Sequence, residues 1–216
     1  MINKLLNEKY PFKLKDLGYA YNALEPYIDE KTMYYHHDKH LSSYINNLNN
    51  ILLENPDFQK FTLGELIKNN VLLPENIRQS VKNNAGGIFN HNFYFKIMTP
   101  EKEKNNIKNF ENIILKNFNS VEEFLNKFVD IALSRFASGW AWLTIDDNKN
   151  LYIISTPYND TPYCTNLLPI MLVDVWEHAY YLKYQNRRNS YLENFLNVIN
   201  WKQVNTNYEN YIFPCK

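Results

Sequence analysis

The apolar positions in the first half of the chain recur at helical spacing. After an irregular opening through Tyr10-Pro11-Phe12 and Leu24-Glu25-Pro26, Asp29 stands where an N-cap belongs, followed by Tyr34, Tyr44, Ile45, Leu48 and Leu52. This pattern predicts one long helix with His36, His40 and Tyr44 on a shared face. A second predicted helix starts after Pro74, carries Ile77, Val81, Ala85, Phe89 and Phe93, and ends before Pro100. Asn84 and His91 lie on it. Two long helices joined by a loop make an α-hairpin. The Gly86-Gly87 pair weakens the second helix locally, and such a pair admits a close neighbour.

From Glu101 to Asn119 the chain is polar and rich in Lys and Asn, which marks a boundary near Pro100 with a short helix beyond it. Ser120-Val121-Glu122-Glu123 is a capping-box signature for a helix running towards Phe136. The period then shortens. Gly139 to Ile145 and Leu151 to Thr156 flank Asp146-Asp147-Asn148-Lys149, a β-hairpin pattern. After a loop with Pro157 and Pro162, Ile170 to Val173 reads as a third strand that delivers Asp174 at its end, and helices finish the chain. The predicted class is α+β: an N-terminal domain over 1–100 built on a long antiparallel α-hairpin, and a C-terminal α/β domain over 101–216 with a small three-stranded antiparallel sheet. There is no internal repeat.

At 216 residues and 45% hydrophobic the chain can bury a substantial core. Lys plus Arg and Asp plus Glu both number 23, so no global field exists to hold nucleic acid, and any attraction of a small anion must be local. The opening lacks a signal peptide's apolar run, no apolar stretch is long enough to span a bilayer, and Cys164 and Cys215 are too few for a disulfide framework. A cytoplasmic protein with no membrane association is expected.

Candidate chemistry centres on Asp174-Val175-Trp176-Glu177-His178-Ala179-Tyr180-Tyr181, where a carboxylate and an imidazole stand four residues apart. Such a pair suits a borderline metal ion, and the absence of nearby Cys argues against thiolate zinc or iron–sulfur chemistry. A helix start with a satisfied core histidine fits the same octapeptide. Of five histidines, His36, His40, His91 and His178 fall on predicted helices, so three helices can converge on one site. Spacing alone allows His36 and His40 to chelate one ion together. His37 points to another face and reads as structural or solvated.

The segments MYYHHDKHLSSYINNLN, NNAGGIFNHNFYF, GWAWL, DVWEHAYYLKYQNRR and YLENFLNVINW, in that order, closely resemble the iron/manganese superoxide dismutases over nearly the whole chain. The resemblance implies one Mn or Fe per subunit held by His36, His91, Asp174 and His178, and the conversion of superoxide anion to dioxygen and hydrogen peroxide. It turns His40 from a ligand into a gateway residue that relays protons with Tyr44. It places Arg188 near the channel mouth, leaves Lys39 as local positive charge, and makes Trp140, Trp142 and Trp176 the walls of the metal cavity. It also implies a homodimer, with tetramers allowed, in which Glu177 reaches the ligand His178 of the other subunit and His40 meets Tyr181.

Two departures bear on the metal. The glutamine that the family sets against the metal-bound solvent is replaced at its two alternative positions by Gly87 and Asn159. Gly87 argues against the usual iron arrangement, and Asn159, one methylene shorter, sits where the manganese type has its glutamine, so the expectation leans to manganese with iron also open. Leu41 and Asn189 depart from the family pattern without touching the four ligands. Competing readings are a zinc-dependent hydrolase, which would need a general base that no ligand motif such as HExxH supplies, and a non-catalytic metal-binding dimer.

Overall fold

Hydrophobic residues at Ile2, Leu5 and Leu6 bury one face of a short first helix, Ile2–Leu6 (α1). The computed structural model describes residues 2–68, 72–165 and 167–212, and Cys215 lies outside them. Asp29 caps the next helix as its position suggests: its carboxylate accepts from the Thr32 backbone N–H at 2.9 Å. Glu30–Tyr34 (α2) leads into a π-helical turn over Tyr35–Leu41 and then Ser42–Glu54 (α3). An uninterrupted α-helix was the expectation. The π turn widens the coil where His36 and His40 sit and changes the angle between them, a distortion frequent at functional sites.

Leu63–Lys68 (α4) begins with a reciprocal capping box, in which the Thr62 N–H donates to the Glu65 carboxylate at 2.8 Å and the Glu65 N–H to the Thr62 hydroxyl at 3.2 Å. Glu75–Ile97 (α5) is the second arm of the α-hairpin and packs along α3. Its buried residues include Val81, Ala85, Gly86, Gly87, Phe89, His91 and Phe93. Lys108–Asn117 (α6) and Val121–Ser134 (α7) follow, the latter capped by the Ser120 hydroxyl, which accepts from the Glu123 N–H at 3.0 Å.

Gly139–Ile145 (β1), Leu151–Pro157 (β2) and Leu168–Asp174 (β3) form an antiparallel sheet in the order β2-β1-β3. Every residue of β1 is buried, because the strand is central and covered on both faces, so it reads as a continuous apolar run. α7 packs on β1 and β2, and α5 contacts β3. The register puts Trp140 opposite Asp174. Beyond β3 come a 3-10 turn at Glu177–Ala179, then Tyr181–Tyr184 (α8), Arg188–Phe195 (α9) and Trp201–Ile212 (α10). The class is α+β, as expected, with one hydrophobic core running through both halves. Among the described residues no helix is long and apolar enough to cross a membrane.

The chain after Asp174 departs from the helical form expected at His178. Val175 N–H continues the sheet ladder by donating to the Gly139 carbonyl at 3.0 Å, and Asp174 Oδ1 accepts from the Trp176 N–H at 2.7 Å. These bonds hold the chain extended through Trp176. Asp174 ends a strand, as expected, but His178 sits in a single 3-10 turn rather than on a helix.

Candidate metal centre

His36 from the π turn, His91 from α5, Asp174 from the end of β3 and His178 from the 3-10 turn converge. One ligand-capable atom of each lies within 4.8 Å of all the others. Asp174 Oδ2 is 3.1 Å from His36 Nε2, 3.4 Å from His178 Nε2 and 3.8 Å from His91 Nε2. All four atoms are buried, and none makes a hydrogen bond. Buried polar atoms left without partners are costly, and four that face one another identify a cation as the missing partner. Three imidazoles and one carboxylate suit a manganese- or iron-like ion.

The atoms turned away from the centre are satisfied. The His91 Nδ1–H donates to the Gly87 carbonyl at 2.7 Å, which leaves the Nε2 lone pair facing inward, while the Trp176 N–H fixes the other Asp174 oxygen. Burial holds the His36 pKa down to about 4 and pushes His91 well below its ordinary value. Burial alone would raise Asp174, but His178 and His36 outweigh it and keep the carboxyl well below the usual range. Neutral imidazoles facing a carboxylate are the protonation states a metal requires.

His40 is likewise pushed to about 4, first by burial and then by His178 and His36. In the unfolded chain these histidines protonate near their ordinary value of 6.5, whereas folded His36 and His40 stay neutral until about 4. The unfolded state thus binds more protons in that window, and stability falls as pH drops through it. The melting midpoint of metal-stripped protein should be level above about pH 6.5 and decline towards pH 4. A midpoint that holds or rises on acidification would contradict these environments.

The structure separates His40 from the ligand cluster. Its ring stacks on that of His178, with centroids 4.1 Å apart and planes at 17°. Tyr44 lies with its ring 5.2 Å from that of His91, and burial raises its pKa, an effect partly offset by the neighbouring Asn159 amide. Trp140 meets the His91 ring edge-on at 5.0 Å, and Trp176 lies 5.5 Å from His178. Trp142 stands behind Trp140, 6.3 Å from it, so it backs the cavity wall instead of forming it. His37 is structural, its ring held between Asp38 and the Lys15 carbonyl at 2.6 and 2.7 Å.

Asn159 is buried against α5, where its Nδ2 donates to the Asn83 carbonyl at 3.1 Å and its Oδ1 accepts from Trp140 Nε1 at 3.4 Å. The glycine pair makes room for it. A Cβ on Gly86 would lie 2.2 Å from the Asn159 carbonyl oxygen, and one on Gly87 would lie 2.8 Å from Tyr44 ring carbons and 3.0 Å from Asn159 Nδ2. Arg188 is anchored by the Arg135 carbonyl at 2.7 Å and the Tyr180 hydroxyl at 3.2 Å. Lys39 is exposed, with its ammonium 5.3 Å from the Tyr34 ring centroid. Glu177 and Tyr181 are exposed beside the cluster and contribute no ligand atom to it.

Sequence reasoning missed three residues. Tyr94 and Phe95 pack on the His36 ring at 5.3 and 5.1 Å, a role that their spacing of three and four from His91 on one helix would have signalled. Asn90 is fully buried, and its amide donates to the Asn159 carbonyl at 3.4 Å. With the amide turned over, it accepts from Trp140 Nε1 at 3.2 Å instead, so either orientation ties α5 to the site wall.

An α-hairpin joined to a small α/β half, with three histidines and an aspartate aimed at one buried point, defines a mononuclear metalloprotein. Residues 11–99 match the alpha-hairpin domain of the iron/manganese superoxide dismutases, and residues 104–207 match their C-terminal domain. The chain belongs to the iron/manganese superoxide dismutase family, whose members are oxidoreductases. It is 44% identical over 198 residues to proteins named superoxide dismutase (Mn/Fe) 2 from Staphylococcus aureus strains Mu50, N315 and bovine RF122, covering 92% of this chain and 98% of each relative. Neither the zinc-dependent hydrolase nor the non-catalytic metal-binding dimer finds support in these relationships.

Proposed function

We propose that the chain is a superoxide dismutase in which His36, His91, Asp174 and His178 hold a single manganese or iron ion, with manganese preferred. The observation that carries this is the set of four buried ligand atoms, unpartnered and within 4.8 Å of one another. A manganese or iron ion bound there supplies a trivalent/divalent couple, by which one superoxide is oxidised to dioxygen and another, with two protons, is reduced to hydrogen peroxide. The single carboxylate leaves much of a trivalent ion's charge uncancelled, which favours approach of an anion. Trp140 and Trp176 exclude bulk water from the ligand rings, while His40 and Tyr44 line the opening. Tyr44 keeps its proton at neutral pH, because burial disfavours its phenolate, so its hydroxyl relays a proton by accepting one as it gives one up. Arg188, fixed by two hydrogen bonds, adds positive charge without mobility.

Manganese is favoured by Gly87, which offers no side chain from α5, and by the Asn159 amide, which enters from the loop after β2. The reading includes domains divided near Pro100, at 1–100 and 101–216. It also includes a homodimer through Glu177, His178, His40 and Tyr181, supported by the exposure of Glu177 and Tyr181 next to the buried ligands. A cytoplasmic location accords with the free thiol at Cys164. Reconstitution with manganese, iron and zinc separately tests the activity: the manganese form should exceed the iron form, and the zinc form should be silent because zinc has no accessible redox couple. Inactivity with both redox metals would end the proposal.

A further inference from the structure

The match to the alpha-hairpin family begins at residue 11, and α1 precedes it. α1 packs on α4 and α5, burying Ile2, Leu5 and Leu6. Its seat is shaped to receive it. A Cβ on Gly64 of α4 would meet both the Leu6 Cβ and the Leu6 carbonyl oxygen at 3.2 Å, so a larger residue there would crowd the first helix. The connection that follows is also tied down, since the Leu63 N–H donates to the Glu8 carbonyl at 2.7 Å, Lys9 bridges Thr62, and Lys15 pairs with Glu8.

α4 in turn rests on the 3-10 turn Pro162–Cys164. The Lys68 ammonium lies 4.0 Å from the Tyr163 ring centroid, and the Cys164 thiol donates to the Ile67 carbonyl at 3.5 Å. That turn begins three residues after Asn159. The same loop is held on its other side by Lys82, which pairs with Asp160 at 2.6 Å, and by Asn83. Neither anchor involves α1 or α4.

We propose that Ile2–Lys9 is a strap that seats α4 on the turn following Asn159, and is thereby a positioning element for the Asn159 amide. The second half rests on the role proposed for Asn159, while the strap itself is read independently at Cys164. The test uses metal-loaded protein carrying Cys215→Ser, so that one thiol is labelled. Deletion of residues 2–9, or Leu6→Asp, should speed aromatic-disulfide labelling of Cys164 on the order of tenfold by freeing α4. Amide exchange should speed across 157–165 and stay unchanged in α10, and Leu6→Met should restore both. The ratio of manganese-form to iron-form activity should also move, since a strap acting on overall stability alone would lower both forms alike.

Unchanged labelling at Cys164, or exchange accelerated equally in α10, overturns the strap. Faster labelling with an unchanged activity ratio overturns its positioning role. Should the deletion fail to fold, Leu6→Ala decides the same points. Inactivity of the parent with both metals defeats the functional reading instead, and the labelling rates still judge the strap.

Discussion

Replacing Asp174 with asparagine is expected to lower metal affinity by at least about a hundredfold and to remove dismutase activity with the metal, since the loss of groups that merely orient ligands already costs 10–100-fold. The substitution keeps the size of the side chain and the acceptor that receives the Trp176 N–H at 2.7 Å. It removes the buried charge and supplies an N–H that can donate to one of the unpartnered imidazole nitrogens. Because the folded state holds the Asp174 carboxyl below its usual range and so favours its charge, metal-stripped Asp174→Asn should melt somewhat below the metal-stripped parent, while the larger stabilisation given by bound metal collapses. Elemental analysis and paired melting curves read both effects. A variant that keeps a full metal complement would remove Asp174 from the ligand set, and one that loses as much stability without metal as with it would make the aspartate structural.

Gly86→Ala should act with the opposite sign to an ordinary helical glycine. Within a helix the change normally stabilises by about 1 kcal/mol. Here the added methyl would stand 2.2 Å from the Asn159 carbonyl oxygen, which is backbone and cannot swing aside. Overpacking of this kind costs about 1–3 kcal/mol, enough to lower the melting midpoint by roughly 2–12 °C in a chain of this size. Activity should fall with it, because relief requires the loop carrying Asn159 to move. A melting midpoint at or above that of the parent would mean that the loop does not pack on α5 as described.

Much of this arrangement is legible in the sequence. Asp29 and Ser120 mark helix starts by their own side-chain chemistry, the β-hairpin shows in its turn residues, and the glycine pair signals a close neighbour without naming it. The identity of that neighbour was hidden, because Asn159 lies 72 positions beyond Gly87 and only folding brings them together. The π turn was likewise invisible. Its residues have ordinary helical spacing, and a register that differs by one hydrogen-bond step leaves no clear mark on an apolar pattern. The helix expected at His178 failed for a related reason: alternation within eight residues cannot reveal that Val175 is committed to the Gly139 carbonyl.

For the site, the sequence by itself determined the inventory of donors, and its resemblance to a known family assigned four of them to a metal. Spacing alone left His36 and His40 open, the resemblance named His36, and the tertiary structure supplies the physical reason. Residues four apart on a helix are equal candidates by spacing, but the π turn sends the His36 nitrogen to within 3.1 Å of Asp174 and leaves the His40 ring stacked on His178. Local patterns record what each segment can form alone. Which atoms end up buried without partners is a property of segments that meet, and that property marks the metal centre.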